Sequence, residues 1–445
     1  MKDKHGLLSA PIGQVLLKLS LPNLLGIFTV FAFNLVDTFF ISRLGTVPLA
    51  AISFTFPVTL IVISIAIGVG AAVSTNLGRL IGSGQAPHAR VFLHDALLLS
   101  FLVATGLCLI GSASMHWLFT LMGANAESLP LVNDYLFIWY LGAPLLVLLM
   151  VGNQGLRATG DTRSPAMIMT ISALINLVLD PLLIFGIGPF PRLEMQGAAI
   201  ASVISWIVAI GFSGHLLIFK RKLVIFAEHD RVRLKQNWQK LAHIARPAAL
   251  MYLINPLANA VLMMMLARID HSSVAAFGAG TRIESLALIV VMAVSSSLVP
   301  FIAQNLGAGQ QERASQALQF SLKFILLFQC ILYIPLFIFS MPLAQLFSSD
   351  PQVLKWLNFY IIALPCAYGP LGVVMIFAAS LNAYHKPLSS LVINLSRLLL
   401  LMLPLALLGS YLDGVKGLLL ALPVTNLLMG GACFVLSKRI EVTTQ

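Results

Sequence analysis

The chain is predicted to be an all-α integral membrane protein whose twelve transmembrane helices form two pseudo-symmetric lobes of six. Three observations carry that prediction. Of its 445 residues 59% are hydrophobic and only 10% charged, whereas a soluble domain carries about 25% charge. Apolar runs of about 20 residues, the length that crosses a bilayer as a helix, recur from end to end. The sequence also repeats at an offset of 225 residues, pairing Pro22 with Pro247, Asn34 with Asn259, Arg43 with Arg268, Ala50-Ala51 with Ala275-Ala276, and Gly82, Gly84 and Gln85 with Gly307, Gly309 and Gln310.

Hydropathy places the spans near 14–42, 47–71, 90–114, 131–155, 165–188 and 194–219, then 240–267, 273–299, 315–339, 352–380, 387–411 and 415–437. Six spans per half is an even number, so both halves enter the membrane in the same sense, as parallel repeats related by an axis along the membrane normal. An N-terminal lobe (1–219), a basic linker (220–239) and a C-terminal lobe (240–445) follow. Basic residues fall unevenly among the loops. One side receives Lys2, Lys4, Lys18, Arg79, Arg90, Arg157 and Arg163, the cluster from Lys220 to Lys240, and later Arg313, Lys386, Lys438 and Arg439. The other receives little more than Arg43, Arg192, Arg268, Lys355 and Lys416. The positive-inside rule therefore assigns both termini and the linker to the cytoplasm of a multi-pass protein. The N-terminus lacks a short apolar core followed by a small-residue cleavage site, and reads as a first span rather than a removed signal.

Several function classes drop out. The net charge of +11 is accounted for by the loops, and without a basic stripe interleaved with aromatics no nucleic-acid partner is expected. No phosphate-cradling glycine loop is present, and no enzyme signature. Gly68-Val69-Gly70, in mid-span, reads as a close helix contact. No two histidines have metal-ligand spacing, so no metal is expected. Cys108, Cys330, Cys366 and Cys433 lie scattered in apolar spans and read as buried small hydrophobes.

What remains is polar chemistry inside the spans. Asn34 and Asp37 lie three residues apart on one helical face, and an ionisable group at mid-membrane costs about 2.5–3.5 kcal/mol on insertion scales, marking function by default. The alternative is that Asp37 sits near enough to Arg43 and the outer surface to reach water. The fifth span carries Asn176 and Asp180 one turn apart, the fourth Asn153 and Gln154, and the sixth Ser202 and Ser205. At the repeat offset Asp37 meets Leu262, so the first half concentrates the carboxylates. Two carboxylates sharing a site suit the binding and release of a proton. Pro22 and Gly26 can let the first helix bend. Arg282, Glu284 and Arg397 form a possible C-lobe charge cluster, in which Glu284 is either a second cation site or the ion-pair partner of Arg282 or Arg397, the pairing being favoured. The methionines of the second half, Met251, Met263, Met264, Met265, Met292, Met375 and Met402, suit either adaptable ligand contacts or ordinary packing.

The Asn-Leu-Val-Asp-Thr segment at 34–38, the Gly-Ser-Gly-Gln and Gly-Ala-Gly-Gln loops at 82–85 and 307–310, and the Asn-Leu-Val-Leu-Asp-Pro segment at 176–181, set in two six-helix halves, resemble the MATE multidrug exporters over essentially the whole chain. The last segment points to the DinF-like branch. That resemblance implies a MATE/MOP-type fold with two lobes around a cleft, opening alternately inward and outward and driven by an H⁺ or Na⁺ gradient. It carries the N-lobe network of that branch onto Asp37, Asn153, Asn176 and Asp180, with Ser202 as the sixth-helix hydroxyl. Phe33 stands where a tyrosine is often found. The tenth span has no acid and the seventh none before Asp270, so the C-lobe Na⁺ site of the NorM-type branch is not expected. The resulting expectation is a monomeric antiporter in a bacterial inner membrane. It would exchange cationic, lipophilic drugs for H⁺, less readily Na⁺, through protonation of Asp37 and Asp180 and bending of the first helix, with no cofactor beyond the coupling ion. The alternatives are a lipid-linked precursor flippase, which would favour a strongly basic cavity, and a membrane-embedded lipid enzyme, for which neither nucleophile-and-base pair nor metal cluster is found.

Overall fold

The computed structural model describes residues 6–124, 127–225 and 230–442. Its long helices are α1 (Ile12–Ser42), α2 (Thr46–Gly82), α3 (Ala86–Leu121), α4 (Ser128–Ala158), α5 (Arg163–Phe185) and α6 (Glu194–Lys220), followed by α7 (Arg231–Ala267), α8 (271–307), α9 (Gln311–Ile338), α10 (Pro351–Ala383), α11 (387–412) and α12 (415–442). Several run a turn or more past the hydropathy spans because their charged ends remain helical. Several are interrupted, among them α10, whose segments Pro351–Ala363 and Tyr368–Ala383 flank a 3-10 turn at Pro365–Ala367. α8 consists of His271–Ala287 and Ile289–Gly307 around Leu288. The helix from Leu403 to Val442 turns back at Asp413-Gly414, where Gly414 takes φ 55°, a left-handed conformation that a residue without Cβ adopts readily.

The helices pack into two units. In the first, comprising Leu21–Ala249, α4 lies against α2, α3 and α6, and α5 packs on α6. In lipid, where no hydrophobic force drives helices together, such contacts rest on close van der Waals approach through small residues. Gly68 illustrates this: a Cβ there would come within 2.6 Å of the Ala245 carbonyl oxygen on α7, and one at Gly70 within 2.8 Å of Gln154 Cγ on α4. The small residues singled out from sequence thus mark where backbones touch. In the second unit, Gly6–Ser20 with Leu250 onward, α10 packs against α9, α12 and the Ile289–Gly307 segment. Exposed Leu109, Ile110, Leu400 and Leu412 on the outer faces are the apolar covering that lipid requires.

This division departs from lobes bounded at 219 and 240 in two places. The start of α1 belongs to the second unit, where Leu16 and Leu19 join the core and Asn305 and Arg313 donate to the Leu7 carbonyl. The start of α7 belongs to the first, where Leu241 and Ile244 are buried. Residues 231–239, assigned to the linker, are helical, and α3 holds them. Asn237 Nδ2 donates to Asp95 Oδ2 at 2.7 Å, and Trp238 Nε1 to the Asp95 carbonyl at 3.0 Å. Both changes of unit fall within three residues of a proline, at Ser20/Leu21 beside Pro22 and at Ala249/Leu250 beside Pro247.

Two cysteines depart from expectation. Cys108 and Cys433 are buried, but Cys330 and Cys366 are exposed. A side chain on a membrane helix can be apolar because it faces lipid, and hydropathy does not separate that from burial in protein.

Candidate functional site

Each unit holds a polar centre within its membrane-spanning helices. In the first unit Asp180, on α5, is fully buried, and Asn176 stands one turn earlier on the same face. The Asn176 amide is oriented by its surroundings. Turned so that Nδ2 donates to Asp180 Oδ2 at 2.8 Å, its oxygen accepts from the Ser202 backbone N at 3.2 Å on α6. The opposite orientation would set amide oxygen against carboxylate oxygen, two acceptors with no proton between them. The Ser202 hydroxyl lies 3.3 Å from the same amide, and Ser205 Oγ donates back to the Ser202 carbonyl at 2.7 Å.

Asp37 approaches from α1. Its Oδ1 is enclosed and has no hydrogen-bond partner among the described residues. Asp37 and Asp180 interact electrostatically, and buried Tyr135 on α4 feels both. Sequence reasoning missed Tyr135; the available signal was an amphipathic ring in an apolar span, which when buried usually seeks a polar partner. Asn153 is buried on α4 with Oδ1 unpartnered, and no hydrogen bond joins it to Asn176 or Asp180 among the described residues. Asn34 lies on α1, but its side chain falls outside the described residues.

α1 is continuous through Pro22, which stands well inside the helix and so does not mark its start. A Cβ on Gly26 would meet Ala166 Cα at 3.3 Å on α5, and the Thr29 and Thr170 hydroxyls lie 3.4 Å apart along the same contact. Gly26 therefore sets the approach of α1 to the helix that bears Asp180.

The second unit encloses a cavity of about 190 Å³ lined by Asn255, Asn259, Glu284, Tyr368, Asn394 and Arg397 among other residues. Arg397 Nη2 donates to Asn255 Oδ1 and Nη1 to Asn426 Oδ1, both at 3.1 Å. Glu284 accepts from the Tyr360 hydroxyl at 2.9 Å. Of the expected cluster of three charges, Glu284 and Arg397 share the cavity and Arg282 does not join them. Arg282 is exposed and does not line the cavity, because residues two apart on a helix point to opposite sides. Glu284 forms no ion pair with either arginine within 4 Å among the described residues; it interacts with Arg397 electrostatically at longer range and accepts its hydrogen bond from a phenol. Met375 and Met402 line the cavity, Met251 Sδ accepts from Asn394 Nδ2 at 3.0 Å, and Met263 and Met264 are exposed. Among the described residues no three His, Cys, Asp or Glu side chains gather as a metal site would require.

The first unit also holds a paired carboxylate in a loop. Asp161, between α4 and α5, accepts from Ser164 and pairs with Arg221 after α6. Burial works to raise its pKa, but the bonds from Ser164 and Arg221 outweigh it and hold the group below its ordinary value of 3.8.

The MatE family model matches residues 22–182 and 247–408, segments that begin at the paired prolines. The chain is 73% identical over 440 residues to a Shewanella oneidensis protein named FAD transporter, covering 99% of this chain and 97% of that one. It is 25% identical over 376 residues to the multidrug export protein MepA of Staphylococcus haemolyticus, covering 84% and 81%. Its fold matches that of the Vibrio cholerae MATE transporter VcmN in the bent form with a TM-score of 0.93 at 29% identity, covering 97% of this chain and 98% of that one.

Proposed function

The chain belongs to the MATE family, whose members are transporters rather than enzymes, and on that premise we propose that it exports flavin adenine dinucleotide from the cytoplasm, coupled to proton entry at Asp37 and Asp180. The supporting observation is the 73% identity, over nearly the full length of both chains, to the Shewanella FAD transporter. The membrane is the bacterial inner membrane, with both termini in the cytoplasm as the loop charges require.

Cargo charge decides what the carboxylates do. A lipophilic cation would be attracted by ionised Asp37 and Asp180 and released on their protonation. The diphosphate of a flavin dinucleotide is anionic, and the same carboxylates would repel it. For this cargo Asp37 and Asp180 are therefore a proton site rather than a docking site. Protonation acts through the shape of α1: neutral Asp37 needs no charged or strongly polar surroundings, and the helix bends near Pro22 and Gly26. Asn176, by donating to Asp180, holds that carboxylate in place while its proton exchanges.

Cationic drug export is the second reading, favoured by the paired carboxylates and by the likeness to MepA. The two are separated in proteoliposomes by following FAD and a cationic dye under an imposed pH gradient and, separately, an imposed Na⁺ gradient. FAD movement driven by the pH gradient and abolished in Asp37→Asn is the expected result. Movement of the dye but not FAD would replace the cargo, and movement driven by Na⁺ alone would overturn the protonation mechanism.

A further inference from the structure

An arginine within a membrane-spanning helix is costly wherever it stands and is retained where it faces a cavity and meets a partner. Arg397 lies in the π-helical turn Ser396–Met402 of α11, and such turns recur at functional sites because the extra residue re-aims side chains. Its guanidinium opens on the cavity of the second unit. The protein supplies two amide oxygens, from Asn255 and Asn426, and no carboxylate within ion-pair distance among the described residues. Nε is buried without a partner. The neutral oxygens orient the charge, while Glu284, which also lines the cavity, interacts with Arg397 electrostatically from beyond ion-pair distance and accepts its hydrogen bond from Tyr360. Each asparagine that offers its oxygen to Arg397 keeps an NH₂ group with two donors beside the same guanidinium.

From this arrangement we infer that Arg397, with Asn255 and Asn426, forms an anion subsite for the diphosphate of the exported dinucleotide. A planar guanidinium fork is the side chain best matched to phosphate oxygens, and its remaining N–H groups and the two amides supply donors on one side of the bound anion. The cavity is smaller than the roughly 300–1,000 Å³ of sites that enclose a whole drug-sized ligand, which fits a subsite for one group of a longer molecule. The inference rests on the flavin-dinucleotide reading for its cargo, but the anion chemistry of the subsite stands apart from it.

The test is binding and transport of FAD, riboflavin and ADP by the purified full-length protein in liposomes of neutral lipid. Riboflavin shares the isoalloxazine ring and lacks phosphate, and ADP shares the diphosphate and lacks the flavin. Arg397→Gln is expected to weaken FAD about tenfold or more, as loss of bidentate charge-assisted bonds does, to weaken ADP in parallel, and to leave riboflavin within about twofold. Arg397→Lys, which keeps the charge without the fork, is expected between the two, and carries the test should Arg397→Gln fail to fold. Equal weakening of FAD and riboflavin would reduce Arg397 to a structural role and overturn the subsite. If the native protein ignores FAD yet binds ADP through Arg397, the subsite survives and the flavin cargo fails. If it binds neither, both fail. A lipid phosphate as the true occupant would appear as competition with ADP on adding anionic lipid, and would overturn the assignment to cargo.

Discussion

The two units descend from one repeated pattern, yet their polar centres carry opposite chemistry. The first holds Asp37 and Asp180 with Asn176, Ser202 and Tyr135 beside them. The second holds Arg397 between two asparagine oxygens, with Glu284 bound to a phenol. At the repeat offset Asp37 becomes Leu262, fully buried in the second core, while Asn34 becomes Asn259, which lines the cavity. The same register thus carries a carboxylate in the first unit and an apolar residue in the second, and the proposed proton and anion sites divide along that difference.

The comparison is broken most severely by Leu262→Asp, which places a carboxylate where the first unit has one. With no donor built around it, the uncompensated buried charge is expected to cost about 3–5 kcal/mol, read as a large fall in melting temperature or failure to accumulate in the membrane. A stable variant would show that the second unit tolerates the first unit's chemistry. Next comes Asp37→Asn set against Glu284→Gln. Loss of a coupling free energy of about 1–3 kcal/mol, roughly 5–150-fold in gradient-driven accumulation, is expected for the first alone. An equal loss in both would place the coupling proton in both units.

Asn176→Leu sharpens the picture of the first centre. Removing the donor to buried Asp180 is expected to cost about 1–3 kcal/mol, visible in thermal unfolding, with transport reduced alongside. An unchanged melting temperature would mean that another donor already serves Asp180.

The smallest effect is at the loop. Asp161→Asn keeps a polar group but loses the charge facing half-exposed Arg221, expected at about 1 kcal/mol. Asp161 has a folded pKa below 3.8, so its stabilising contribution is fully present above that value and is lost only as pH falls through the lower folded pKa. Between about pH 5 and 8 it is constant, and a transport profile that changes in that window should be the same in Asp161→Asn as in the native protein.

Much of this is legible in the amino-acid sequence. Asn176 and Asp180 were found by their one-turn spacing, and Ser202 joins them in space. Arg397 and Glu284 were visible as charges in apolar spans, but not which of Arg282 and Arg397 faces inward. Asn255 and Asn426 have no polar mate at the repeat offset, so nothing in the pattern drew attention to them. Tyr135 was hidden among the aromatics of α4.

The amino-acid sequence by itself determined the all-α membrane fold, the two halves, the placement of basic loops and the asymmetry of the carboxylates, because these follow from local composition and the cost of charge in lipid. Only the tertiary structure decided which faces meet: Gly68 against α7, Gly26 against α5, Cys330 and Cys366 outward, α1 and α7 each passing from one unit to the other, and Arg397 between two asparagines. The reason is physical. Lipid tails and a protein interior are nearly equal in polarity, so an apolar span does not record which of its sides touches protein, and only packing resolves it.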